Sequence, residues 1–123
     1  MNETKNTKID LKVSADLFVG ANQRGKIVIG DKGFEFINNQ KNRNFVFIPW
    51  NEISHVVASR GIRKGKIVRF SVQTNRNIGY VFTTKDPKKV LKAMRSYLDA
   101  KQLVYEKDMF DRLRHSFTDL LKK

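Results

Sequence analysis

Residues 25–53 read GKIVIGDKGFEFINNQKNRNFVFIPWNEI, and this stretch decides the fold. Three apolar runs, Lys26–Gly30, Gly33–Ile37 and Phe45–Trp50, are separated by turn signals. Asp31-Lys32-Gly33 has the Asp/Gly chemistry of a tight hairpin. The polar segment Asn38–Asn44 is expected to be a mobile tip. Proline has no N–H to give to a β ladder, so Pro49 belongs at a strand end or on an edge. The stretch predicts a three-strand meander.

Upstream, Ile9, Leu11 and Val13 alternate with polar residues at the period of a half-buried strand. Leu17-Phe18-Val19 is a second apolar cluster, and Gly20–Gly25 reads as a loop. Downstream, Glu52–Ser59 is a strand, and Arg60–Lys66 is a basic, glycine-bearing loop. Lys66–Thr84 reads as an antiparallel hairpin turning at Asn75-Arg76-Asn77, with Val68, Phe70, Val72, Tyr80 and Phe82 among its apolar positions.

The period then changes from two to 3.6. Asp86-Pro87 is a helix start, and Val90, Leu91, Met94, Tyr97 and Leu98 form one apolar stripe. Lys88, Lys89, Lys92 and Arg95 lie mostly off that stripe, and the helix is predicted to end near Ala100. Leu103-Val104-Tyr105 is too short to assign. A second amphipathic helix is predicted from about Asp108, with Phe110, Leu113, Phe117 and Leu120 on its stripe. Strands first and helices last give an α+β fold. About seven strands form an antiparallel sheet or partial barrel, capped by the helix near 86–100. The predicted organisation is a disordered tail over 1–8, a domain over 9–105 and an amphipathic helix over 106–123.

A length of 123 residues, 40% of them hydrophobic, suits one domain with its own core. With no cysteine there is no disulfide or thiolate chemistry, which fits a reducing cytoplasm. Met1–Lys8 lacks the apolar region of a signal peptide, and no run approaches a membrane span. The net charge of +13 is the main functional signal, because it attracts polyanions. No acidic residue occurs between Ile53 and Lys85. Arg60, Arg63, Lys64, Lys66 and Arg69 are candidates for binding phosphate in lipid, nucleic acid or a phosphoprotein. Phe110, Leu113, Phe117 and Leu120 are candidates for contact with a partner or a second copy.

Catalysis has no support. There is no Ser/His/Asp arrangement, no phosphate-cradling glycine motif and no acid pair of clear geometry. His55 and His115 stand alone, without companions at metal-ligand spacing, so no metal or other cofactor is expected. No helix-turn-helix, zinc or aromatic RNA-binding pattern is present. Trp50 reads as an anchor in the core or at its rim.

GKIVIGDKGFEF, FVFIPWNEISHVVAS, IVRFSVQTN and YVFTTKD together resemble the ManO-like family, domain-of-unknown-function family 956. The resemblance runs over about 9–117. It implies a pleckstrin-homology-like or GRAM-like barrel, a place beside mannose-type phosphotransferase system genes in Gram-positive bacteria, and a role as regulator of the mannose operon. It brings no catalytic residue with it. The expected function is therefore a non-enzymatic binding or regulatory module, acting through a basic surface and a terminal amphipathic helix. Its candidate partners are an acidic protein, a sugar-transporter subunit or another copy of the chain. The alternatives are a nucleic-acid-binding transcriptional regulator and a peripheral binder of anionic membrane. The expected location is the cytoplasm, including the inner membrane face.

Overall fold

A computed structural model describes residues 4–19, 21–39, 45–60 and 67–105. Eight strands form one sheet: β1 (Ile9–Val19), β2 (Ala21–Gly30), β3 (Gly33–Asn38), β4 (Phe45–Pro49), β5 (Ile53–Arg60), β6 (Ile67–Thr74), β7 (Gly79–Thr84) and β8 (Leu103–Tyr105). A single helix, α1 (Pro87–Met94), lies between β7 and β8 among the described residues. The strand order is β4-β3-β2-β1-β7-β6-β5-β8. All pairs are antiparallel except β5 with β8, which is parallel. The fold is α+β.

The meander exists as β2–β3–β4, and Pro49 is the last residue of an edge strand, where its missing N–H breaks no ladder. The hairpin β6–β7 turns through Asn77 at φ 64°, a backbone region that asparagine tolerates better than most residues. Three expectations need correction. The segment 20–25 is not a loop: β2 begins at Ala21, and Val19 pairs with Ala21 across a tight reversal. Strands number eight rather than seven, because Leu103–Tyr105 joins β5. The helix stops at Met94 rather than near Ala100. The chain then turns, with the Leu98 N–H donating to the Met94 carbonyl at 2.9 Å, and Leu98 is still buried. The terminal helix predicted over 106–123 lies outside the described residues, as does most of the tip Asn38–Asn44.

The sheet curls until distant strands touch. Phe34 on β3 and Phe70 on β6 are four strands apart in the sheet order, about 19 Å if the sheet were flat. Their ring centroids are 6.5 Å apart. Phe82 lies between them, 5.1 Å from Phe34, 5.6 Å from Phe36 and 5.7 Å from Phe70. All four rings are fully buried. Val90 and Met94 of α1, followed by Leu98, complete the same core. Trp50 is an anchor: its Nε1–H donates to the Gly30 carbonyl at 2.8 Å, and its ring stacks on Tyr97 at 4.8 Å. The Tyr97 hydroxyl donates to Asp10, and that bond pushes its pKa up to about 12.

Residues 4–8, read from sequence as part of a tail, clasp the β2–β3 turn. Asn6 Oδ1 accepts from the Lys32 and Gly33 amides at 2.7 and 2.9 Å. Its Nδ2 donates to the buried Glu35 carboxylate at 3.2 Å, and Thr4 Oγ1 donates to the same carboxylate. Asp31 accepts from the Thr7 and Lys8 amides, each at 2.9 Å, and from the Thr7 hydroxyl. Gly30 is required here, since a Cβ on it would lie 2.3 Å from the Lys8 carbonyl.

Two predictions follow from this packing. Phe82→Ala should destabilise the domain by about 3–5 kcal/mol, whereas Phe18→Ala, at a position 40% exposed, should change stability by no more than about 0.5 kcal/mol. Urea-unfolding midpoints check both. The second concerns acid. The Thr7 hydroxyl, and then the Lys8 amide, hold the Asp31 pKa down at about 2 against an ordinary 3.8. A depressed folded-state pKa gives stability that is complete above the unfolded value and is lost as pH falls from 3.8 towards 2. Asp31→Asn should remove this part of the acid dependence, leaving a flatter profile of unfolding midpoint against pH in that window.

Candidate functional site: a cation-rimmed groove

The first residues of α1 run against helix preference. Its sequence PKKVLKAM carries no acid, and Lys88 and Lys89 occupy its first turn, where the helix dipole favours negative charge. Lys88 and Lys92 stand four residues apart on one face, a like-charge spacing that also disfavours the helix. Among the described residues, Lys88, Lys92 and Arg95 make no ion pair. All three are exposed.

These side chains form one wall of a groove with a cavity volume of about 370 Å³. Its other lining comes from Leu91, from Val56 and Ala58 of β5, and from Ala100, Leu103, Val104 and Tyr105. Val56 and Ala58 are buried, and Leu91, Leu103 and Tyr105 pack on the core from its margin. No acidic residue is among the described residues lining the groove. The floor is therefore apolar, and the charge on the rim is of one sign.

Gln102 sets the position of this floor. Its side-chain Nε2 donates to the Ile53 and Ser54 carbonyls at 3.1 and 3.2 Å, while its Oε1 accepts from the Asp99 amide at 2.9 Å. This fastening starts β8 beside β5 with Val56 opposite Leu103 and Ala58 opposite Tyr105. A second, polar cavity of about 660 Å³ lies between β1, β2 and the start of α1. It mixes Asp16 and Asp86 with Arg24 and Lys85, so its charge has no single sign.

The sequence-derived site is only partly within view. Arg69 is exposed on β6, opposite Ser59, and Arg60 is the last residue of β5. Arg63, Lys64 and Lys66 lie outside the described residues, as do Phe110, Leu113, Phe117 and Leu120. The groove cations were visible in the sequence only as a polar helix face. The misplacement of Lys88 at a helix start is a signal for one of them; Lys92 and Arg95, at the favourable end of the helix, carried none. His55 sits on β5, its Nδ1 3.0 Å from the Ser54 hydroxyl. No cluster of three or more metal-binding side chains occurs among the described residues. None of the described helices is long and apolar enough to cross a membrane.

The family model described as Domain of unknown function (DUF956) matches residues 1–117. No curated protein matches the chain. Among solved structures, it is similar to the crystal structure of the C-terminal domain of an unknown protein from Leishmania infantum, with a TM-score of 0.65 and 15% sequence identity. That similarity covers 73% of this chain and 83% of the other, and at this identity it is a likeness of fold alone.

Gln102→Leu should loosen β8 without unfolding the domain. Each lost hydrogen bond contributes about 0.5–1.5 kcal/mol, so amide exchange at Val104 and Tyr105 should speed up about tenfold or more. Exchange at Val72, in the interior of the sheet, should stay unchanged.

Proposed function

Because the chain belongs to the DUF956 family of domains of unknown function, we propose that it is a non-enzymatic binding module that docks an anionic partner on the α1 face. The observation carrying this is the groove rim: Lys88, Lys92 and Arg95 converge over an apolar floor with no acid in the described lining. Lys88 sits in the first turn, where the helix dipole disfavours a cation, and among the described residues none of the three rim cations has an ion-pair partner, so an anionic partner accounts for the cluster better than fold stability does. The net charge of +13 adds long-range attraction.

In this reading the curled sheet and its helix are a pleckstrin-homology-like partial barrel. The partner is an acidic surface of a mannose-type phosphotransferase subunit, and the module regulates that system from the cytoplasmic side. The basic segment with Arg60, Arg63, Lys64, Lys66 and Arg69 extends the attractive field, and the terminal segment with Phe110, Leu113, Phe117 and Leu120 contributes a second contact. The overall charge equally motivates the alternative of a nucleic-acid-binding regulator, in which the same cations would meet phosphates.

The test is co-purification from the native cell at physiological salt, with and without nuclease. The wild-type chain should retain a transporter subunit in both lanes. Lys88→Glu/Lys92→Glu/Arg95→Glu should lose it, while Lys26→Glu, a charge reversal at an exposed residue of β2, should not. Retention by the triple variant overturns the docking face. Loss on nuclease treatment hands the function to the nucleic-acid alternative.

A further inference from the structure

Going beyond the docking-face reading, on whose cationic rim it rests, we infer that the groove between α1 and the β5–β8 edge takes a single-chain anionic amphiphile, which competes with the acidic partner for the same cations. Its carboxylate or phosphate head lies on Lys88, Lys92 and Arg95. Its aliphatic tail covers Val56, Leu91 and Leu103.

The argument is one of segregated chemistry. Among the described residues the cations come from α1 and its C-cap, at positions i, i+4 and i+7, whereas most of the apolar floor comes from β5 and β8. A ligand that satisfies both walls needs charge on one side and hydrocarbon on the other. A free phosphate uses the rim and leaves the floor wet. A neutral lipid covers the floor and leaves three cations uncompensated. A nucleic-acid backbone pairs with the rim and offers the floor nothing. The volume of about 370 Å³ falls at the lower end of small-ligand pockets, about 300–1,000 Å³, which are mostly apolar with a few placed polar groups. That volume suits one chain. Tyr105 gives the floor an aromatic surface, and Leu91 stands on α1 between Lys88 and Lys92, joining the two walls. The floor is preformed, because Gln102 fixes the strand that carries Leu103 and Tyr105. Little ordering is therefore left for binding to bring about.

The full chain is titrated with dodecyl phosphate, dodecanoate, inorganic phosphate and dodecyltrimethylammonium below their micellar concentrations. Binding is followed by calorimetry and by backbone amide shifts. Saturable one-to-one binding of at least one of the two anionic amphiphiles is expected, with shifts centred on Leu91, Leu103 and Tyr105. Comparing those two identifies the preferred head. Inorganic phosphate and the cationic homologue should not saturate. Lys88→Glu/Lys92→Glu/Arg95→Glu, at exposed positions that leave the core intact, should weaken binding about tenfold or more. Leu91→Gln should weaken it about tenfold by wetting the tail site. Equal binding of inorganic phosphate, equal binding of the cationic homologue, shifts centred elsewhere or an unaffected triple variant each overturns the inference. If no amphiphile binds while the triple variant still loses the co-purified subunit, the ligand class is wrong and the docking face stands. If neither responds to charge reversal, both fall.

Discussion

Phe82 holds two ends of one sheet together. With Phe34 at 5.1 Å and Phe70 at 5.7 Å, it is the contact through which β3 reaches β6 across the curl. Were the sheet flat, α1 could not cover both faces of its apolar strands. Curling lets β3 and β6 cover each other, and α1 adds Val90 and Met94 to the same core. The curl also brings the far side of the sheet, β5 and β8, alongside α1 with the groove between them. The groove is thus a by-product of the way the core closes. Among the described residues it lies between the eight-residue helix and the last two strands.

The charge on this molecule does little for its stability. Lys8–Asp10 and Arg24–Asp16 are ion pairs among the described residues, each at 3.9 Å and solvent-exposed on the cationic side. Pairs of that kind contribute about 0–1 kcal/mol. The polar contacts that organise the fold are neutral or use one charge against backbone donors: Asn6 on the β2–β3 turn, Asp31 on the Thr7 and Lys8 amides, Gln102 on the β5 carbonyls. Among the described residues, structural work falls mainly to hydrogen bonds and aromatic rings.

Much of the sheet could be read from the sequence because the side-chain period and the turn residues agree there. The β2–β3–β4 meander and the β6–β7 hairpin have alternating apolar residues bounded by Asp, Asn, Gly and Pro. The residues Ala21–Arg24 carry no such alternation, because that end of β2 pairs with Asp16–Val19 through backbone hydrogen bonds, which no side-chain pattern encodes. The helix was read six residues too long for a related reason. Leu98 keeps the apolar spacing after the backbone has left the helix, since burial constrains where a side chain points and not the path between. β8 was illegible for lack of length. What places it is one glutamine side chain reaching two carbonyls about 48 residues upstream. The groove was hidden because its walls come from residues 56–58, 88–95 and 100–105, which only the curl brings together.

The two halves of the groove differ in how firmly they are held, and that difference bears on recognition. The floor is fixed: Val56 and Ala58 belong to the buried core, and Leu103 and Tyr105 sit on a strand tied by Gln102. The rim consists of long, exposed, flexible side chains. An apolar surface held rigid selects by shape, because a chain that does not fit gains no burial. Flexible cations select only by sign and accept carboxylate or phosphate with little reorganisation. A site built this way is exacting about the tail and tolerant of the head. Its affinity should respond more sharply to a single methylene group, about 0.8 kcal/mol when buried, than to which anion leads the chain.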